Sequence, residues 1–146
     1  VIEEKDCVYC MMDYFKNVGD LGKNKKFLEK EYVRNECMKI RLFDGLFLSS
    51  DNNLRNILVN ENGELLLSID ENNIFGKRKK ILNEKDWCRK NKVDDKVIEK
   101  ILEDFNLGKN VSVVEKRMRK YGFEDKIEEM KERFGNYEKI VKEELK

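Results

Sequence analysis

Ile57-Leu58-Val59 and Leu65-Leu66-Leu67 are short apolar runs held apart by Asn60-Glu61-Asn62-Gly63. Asn-Gly between two such runs is a strong β-hairpin signal, because a tight chain reversal needs residues that tolerate positive φ. The spacing predicts strands over Ile57–Val59 and Leu65–Ile69, with a hairpin spanning 56–70.

Around the hairpin the apolar residues recur at helical spacing. The chain contains no proline, so helix ends must be marked by Gly, Asn and Asp. A helix is expected over 6–17, followed by a loop from Asn17 to Asn24 that contains Gly19 and Gly22. Phe27, Leu28, Tyr32, Val33, Cys37, Ile40 and Phe43 predict a long amphipathic helix from about Lys26 to Phe43, broken by Asp44-Gly45. A short helix is expected over 84–91, and another from Asp94 to Leu107 closed by Gly108. Helices over 111–121, 124–134 and 136–145 are expected to be separated by Gly122 and Gly135. Their Glu/Lys pairs at helical spacing suit a solvated face. Tyr32, Phe105, Phe123, Phe134 and Trp87 are expected in the core. The fold class is therefore mainly α with a small β-hairpin. An N-terminal helix and loop (1–25) precede one helical domain (26–146) that carries the hairpin.

Charged residues make up 42% of the chain and apolar residues 40%, and the periodic clustering of the apolar ones predicts folding rather than disorder. The net charge of +1 gives no global basic field for nucleic acid. No apolar run approaches the roughly 20 residues of a membrane helix. Cys7 and Cys10 form a C-x-x-C, but Cys37 and Cys88 are isolated and histidine is absent. Buried reduced thiols are therefore expected ahead of a zinc site, in an intracellular, reducing compartment.

Polar residues cluster at the open end of the hairpin. Asp51 and Asn56 lie five residues apart on the approach to the first strand, and Asp70 ends the second. Neighbouring strands lie roughly 4.8 Å apart, so Asn56 and Asp70 are expected to face one another, with Asp51 on the loop just outside. Such oxygen donors suit a hard cation like Mg²⁺, leaving one carboxylate to orient a hydroxyl. That is an arrangement for phosphoryl transfer.

Here "SSDNNLRNILVNENGELLLSIDEN" resembles the protein-kinase-like superfamily. It is closest in pattern to the atypical phosphoinositide-kinase and actin-fragmin-kinase types, with their G-D-R-H-x-x-N-I … G … H-I-D-F-G signature. The resemblance covers about residues 26–80 and implies a kinase C-lobe-like helical domain lacking an N-terminal lobe. It also implies Mg²⁺ and ATP as cofactors. By resemblance Asp51 would be the catalytic residue, handling the substrate hydroxyl proton, while Asn56 and Asp70 would ligate the metal. Arg55, the nearby cation, would neutralise a phosphate of the nucleotide.

The departures from that pattern are specific. Ser49-Ser50 stand where His-Arg would precede Asp51, Asn53 stands where many kinases carry Lys or His, and Glu71-Asn72 follow Asp70. No G-x-G-x-x-G occurs. The N-lobe is expected from sequence upstream of Val1, from another chain, or not at all, and in the last case the lobe is a pseudokinase-like scaffold or interaction module. An unrelated α-rich interaction domain, with Asp51, Asn53 and Asn56 merely capping turns, is the plain alternative. Lys77, Arg78, Lys79 and Lys80 form a basic run that could meet nucleic acid or anionic lipid, though a solvated surface is the expectation preferred.

Overall fold

The computed structural model describes residues 16–47, 49, 53–68 and 93–144, together with the backbone of Ile2–Glu4, Cys7–Tyr9 and residue 145. In chain order its elements are strands β1 (Ile2–Glu4) and β2 (Cys7–Tyr9), helix α1 (Glu31–Leu46), strands β3 (Ile57–Val59) and β4 (Leu66–Ser68), and helices α2 (Asp95–Phe105), α3 (Leu107–Lys120) and α4 (Ile127–Leu145). The chain is mainly helical with a small antiparallel hairpin, as its periodicity predicts. No helix among the described residues is long and apolar enough to cross a membrane.

The central hairpin pairs Ile57 with Ser68, Leu58 with Leu67 and Val59 with Leu66. Asn60 organises its turn. The Asn60 carbonyl accepts from Gly63 N at 3.0 Å, and its side-chain Oδ1 accepts from Glu64 N at 2.8 Å and Leu65 N at 3.1 Å. Gly63 adopts φ +67°, the left-handed conformation that glycine takes without steric cost. The segment expected as a plain loop contributes more. Val18 N and Leu21 N donate to the carbonyls of Val59 and Ile57 at 2.9 and 2.8 Å, and Asp20 bridges Leu58 antiparallel. Residues 18–22 thus cover the outer edge of β3.

Helix α1 is buried along two stripes. Val33 and Cys37 join Leu21, Phe27, Ile57 and Val59 in the core beneath the hairpin. Met38, Leu42 and Leu46 join Ile98, Ile101, Met118, Met130 and Tyr137 in the larger helical core. A helix apolar on two sides must be covered on both, so α1 is the internal wall between hairpin and helices.

Several expected boundaries are corrected. Cys7–Tyr9 is a strand rather than helix, paired in the register Ile2–Tyr9, Glu3–Val8 and Glu4–Cys7; Ile, Val and Tyr favour a pleated strand. The helix expected from Lys26 starts instead at Glu31. A 3-10 turn at Lys25–Glu29 precedes it and Lys30 is extended, which sets Phe27 under Gly63. Asp44-Gly45 does not break α1. Both residues are buried inside it, and the burial of Leu42 and Leu46 outweighs the ~1 kcal/mol helical cost of Gly. Helix α2 closes at Asn106 in the left-handed region (φ 44°, ψ 49°), not at Gly108, and α3 begins at once, with Lys109 N donating to the Asn106 carbonyl. Gly122 does end α3: Phe123 N donates to Met118 and Gly122 N to Arg119, a Schellman closure. Gly135 breaks nothing. It is exposed within α4, whose buried stripe of Met130, Phe134, Tyr137 and Val141 runs straight past it. Phe134 is core as expected, while Tyr32 and Phe123 are exposed and Phe105 is half-buried. Trp87, Cys10, Cys88 and the expected helix over 84–91 lie outside the described residues.

Candidate functional site

The polar end of the hairpin is built on a single 3-10 turn, Leu54–Asn56, that feeds directly into β3. Asn53 caps it: its side-chain oxygen accepts from Arg55 N at 2.8 Å, and its carbonyl accepts from Asn56 N at 3.0 Å. Asn, with its short side-chain acceptor, is suited to this role. The turn is tied to the 18–22 segment by Gly22 N, which donates to the Leu54 carbonyl at 3.1 Å. Asn56 is therefore half-buried and set at the start of a strand whose other residues are fixed by pairing on both sides.

Arg55 is exposed, and its stem lies against Gly22. A Cβ placed on Gly22 would come within 3.0 Å of both Arg55 Cγ and Asp20 Oδ1. The close approach of Arg55, Gly22 and Asp20 is a feature the sequence reading missed. Its signal was present in Asp20-Leu21-Gly22, where an apolar residue that is fully buried sits between a carboxylate and a glycine. Asp20 is itself anchored, accepting at Oδ1 from Lys23 N at 3.0 Å, with Lys23 Nζ 3.7 Å from Oδ2.

Beneath this end, the hairpin-facing stripe of α1 turns polar. Arg41 and Asp44 are buried on it, followed by buried Ser49, whose N–H donates to the Asp44 carbonyl at 2.8 Å. This bond satisfies one of the last carbonyls of α1. One helical turn back, the Cys37 thiol is pushed up to about 12, by burial first; the Arg41 charge opposes the shift and Glu36 adds to it. At neutral pH Cys37 is a packed, protonated thiol.

Of the residues assigned from sequence, Arg55 and Asn56 are thus placed side by side at the mouth of the hairpin. Asp51 and Asp70 lie outside the described residues, as do Lys77, Arg78, Lys79 and Lys80. Among the described residues no three His, Cys, Asp or Glu side chains gather around one point. Asn56 supplies an amide oxygen, a hard donor of the type that Mg²⁺ accepts. No protein-family model, curated protein or solved structure matches the chain.

Proposed function

We propose that this chain is the metal-binding and catalytic lobe of an ATP- and Mg²⁺-dependent phosphotransferase of the protein-kinase-like kind. The observation carrying this reading is the seating of Asn56 in a capped turn directly before β3, whose first residue, Ile57, pairs with Ser68 at the end of β4. The long helix α1, leading into the segment that holds Asp51, supports it further.

In this reading Asp51 takes the proton of the substrate hydroxyl, Asn56 and Asp70 hold the cation, and Arg55 faces a phosphate. Bound Mg-ATP supplies the transferable phosphoryl group and neutralises its charge. Positioning and charge complementarity are most of such catalysis, so turnover requires a nucleotide-covering lobe beyond these 146 residues. An intracellular, reducing compartment goes with this reading, and the free, buried Cys37 thiol is consistent with it.

The test is thermal unfolding with Mg-ATP of a full-length form that includes the nucleotide-covering lobe. Ligand at 100 times its Kd stabilises by about 2.7 kcal/mol, so the melting temperature is expected to rise by several degrees. Asp70→Ala and Asn56→Ala are expected to abolish the rise. A full-length wild type without any rise, or an equal rise in its Asp70→Ala variant, would overturn the assignment.

A non-catalytic interaction module built on the same lobe is the second reading. It is favoured by the apolar surface around Phe43 and Val113, each about half exposed (51% and 52%). This reading expects no response to Mg-ATP.

A further inference from the structure

An apolar cleft opens between α1, α2 and α3, on the side of α1 that faces the helical core. Its floor and one wall are a continuous run of rings. Phe43 meets Phe47 at 5.0 Å and Phe105 at 6.3 Å between centroids, and Phe47 meets buried Phe134 at 5.7 Å. Val113 and Val114 form the opposite wall, and Asn110 and Arg117 supply the polar groups. The cleft encloses about 190 Å³. Ligand and cofactor sites usually occupy ~300–1,000 Å³, so this one suits one or two apolar side chains rather than a free small molecule.

Its electrostatic setting is one-sided. Helix α3 carries Lys109, Lys116, Arg117, Arg119 and Lys120 against a single acid, Glu115. Glu115 is already engaged, by Arg119 at 2.8 Å and Lys131 at 3.0 Å. Among the described residues Lys109, Lys116 and Arg117 make no ion pair, and Lys120 lies over the Tyr121 ring. Lys109, Val113, Lys116 and Lys120 recur at i, i+4, i+7 and i+11, so they share one exposed stripe beside the cleft, about 16 Å long. The acids nearest in sequence to the other wall are Asp44, buried beside Phe43, and the exposed Glu103 and Asp104, which precede Phe105 at the end of α2.

We propose that this cleft is a docking site for an acidic amphipathic helix of a partner protein. The partner's apolar anchors enter between Phe43 and Val113, and its carboxylates run along the basic stripe of α3. Apolar anchors at i, i+3/i+4 and i+7 on such a helix match a groove between helices, and opposite charge beside it sets orientation and rate of encounter. A membrane surface fits less well, because the apolar side chains line a concave cleft that a flat bilayer cannot enter. This inference is independent of the phosphotransferase reading.

The test is fluorescence anisotropy with the full chain and a labelled helical peptide bearing Leu anchors at i, i+3, i+4 and i+7 and Glu elsewhere. A control peptide has Lys at each Glu position. The acidic peptide is expected to bind at least tenfold more tightly than the control. Val113→Asp is expected to weaken binding at least tenfold with an unchanged melting temperature, and Phe43→Asp to weaken it as much while also losing its ring contacts to Phe47 and Phe105. The double variant Lys116→Glu/Arg117→Glu is expected to reverse the preference between peptides. No binding, equal binding of both peptides, or binding that survives Phe43→Asp and Val113→Asp overturns the proposal. So does a drop of several degrees in melting temperature in Val113→Asp, which would mean that this chain itself fills the cleft. Concentration-dependent dimers lost in Val113→Asp would assign the cleft to a second copy. Sedimentation with phosphatidylserine vesicles without peptide binding would assign it to a membrane. Either result also overturns the proposal.

Discussion

Arg133 of α4 donates from Nε to the main-chain carbonyl of Leu46, the last residue of α1, at 2.9 Å. The same guanidinium reaches the Gly45 carbonyl at 3.1 Å and lies over the Tyr137 ring, whose hydroxyl donates to the Leu42 carbonyl. The last carbonyls of a helix have no partner within it and carry partial negative charge, so a half-buried cation there both caps and neutralises. This joint holds the end of α1 against the helical core. Replacing Arg133 with Met keeps the stem and removes the donors. It is expected to lower unfolding free energy by about 1.5–3 kcal/mol, the range for charged hydrogen bonds. Arg133→Lys should recover only part of the loss, since an ammonium lacks the planar fork. Urea titration checks both, and an unchanged midpoint in Arg133→Met would show the joint to be dispensable.

Two glycines should respond oppositely to alanine. Gly63 has φ +67°, and a Cβ there would lie 2.8 Å from Phe27 Cε1, so Gly63→Ala is expected to cost about 1–3 kcal/mol through backbone strain and displacement of the ring. Gly135 sits in the middle of α4 with nothing within 4 Å of its would-be Cβ, so Gly135→Ala should gain about 0.5–1 kcal/mol. Denaturant midpoints of the two variants measure the contrast. A loss in Gly135→Ala would argue against an unbroken α4.

Tyr32 is exposed, yet its hydroxyl donates to the Gly63 carbonyl, while Lys30 Nζ donates to the Asn62 carbonyl at 2.6 Å. The start of α1 therefore grips the hairpin tip. Tyr32→Phe is expected to cost about 0.5–1.5 kcal/mol. Amide exchange should accelerate at Gly63, Glu64 and Leu65 before it does in α4. Uniform protection across both regions would mean the tip is held by Asn60 alone.

Cys37 makes the stability of this protein sensitive to alkali. Its folded-state thiol is pushed up to about 12, above its ordinary value of 9.0, because burial disfavours the thiolate. Between those values the unfolded thiol ionises while the folded one stays protonated. The native state then binds more protons, and stability is present below pH 9 and lost as pH rises towards 12. The slope contributed by this group approaches about 1.4 kcal/mol per pH unit. Burial likewise raises Tyr32, and the Glu115 and Glu138 partners raise Lys131 and Lys142, so other groups titrate in the same window. The difference between wild type and Cys37→Ala isolates the thiol. Cys37→Ala should start less stable at pH 7, from the cavity, and decline less steeply above pH 9. Parallel curves would contradict the assignment.

What the sequence by itself determined is whatever local chemistry can enforce. Asn60 and Gly63 specify their turn because one side-chain acceptor and one permissive backbone suffice. Asp94 caps α2 and Gly122 closes α3 for the same reason. The expected meeting of Asn56 with Asp51 and Asp70 involves two residues that stand outside the described ones. The tertiary structure decided where local preference was weak or contradicted. Helix α1 continues through Asp44-Gly45, and α4 through Gly135, because buried stripes on either side outweigh one glycine's entropy. Asn106, not Gly108, makes the corner between α2 and α3. Residues 18–22 became the neighbour of β3 although nothing in their own composition demands a strand. Those outcomes depend on partners tens of residues away, and no local window contains the surfaces that cover them.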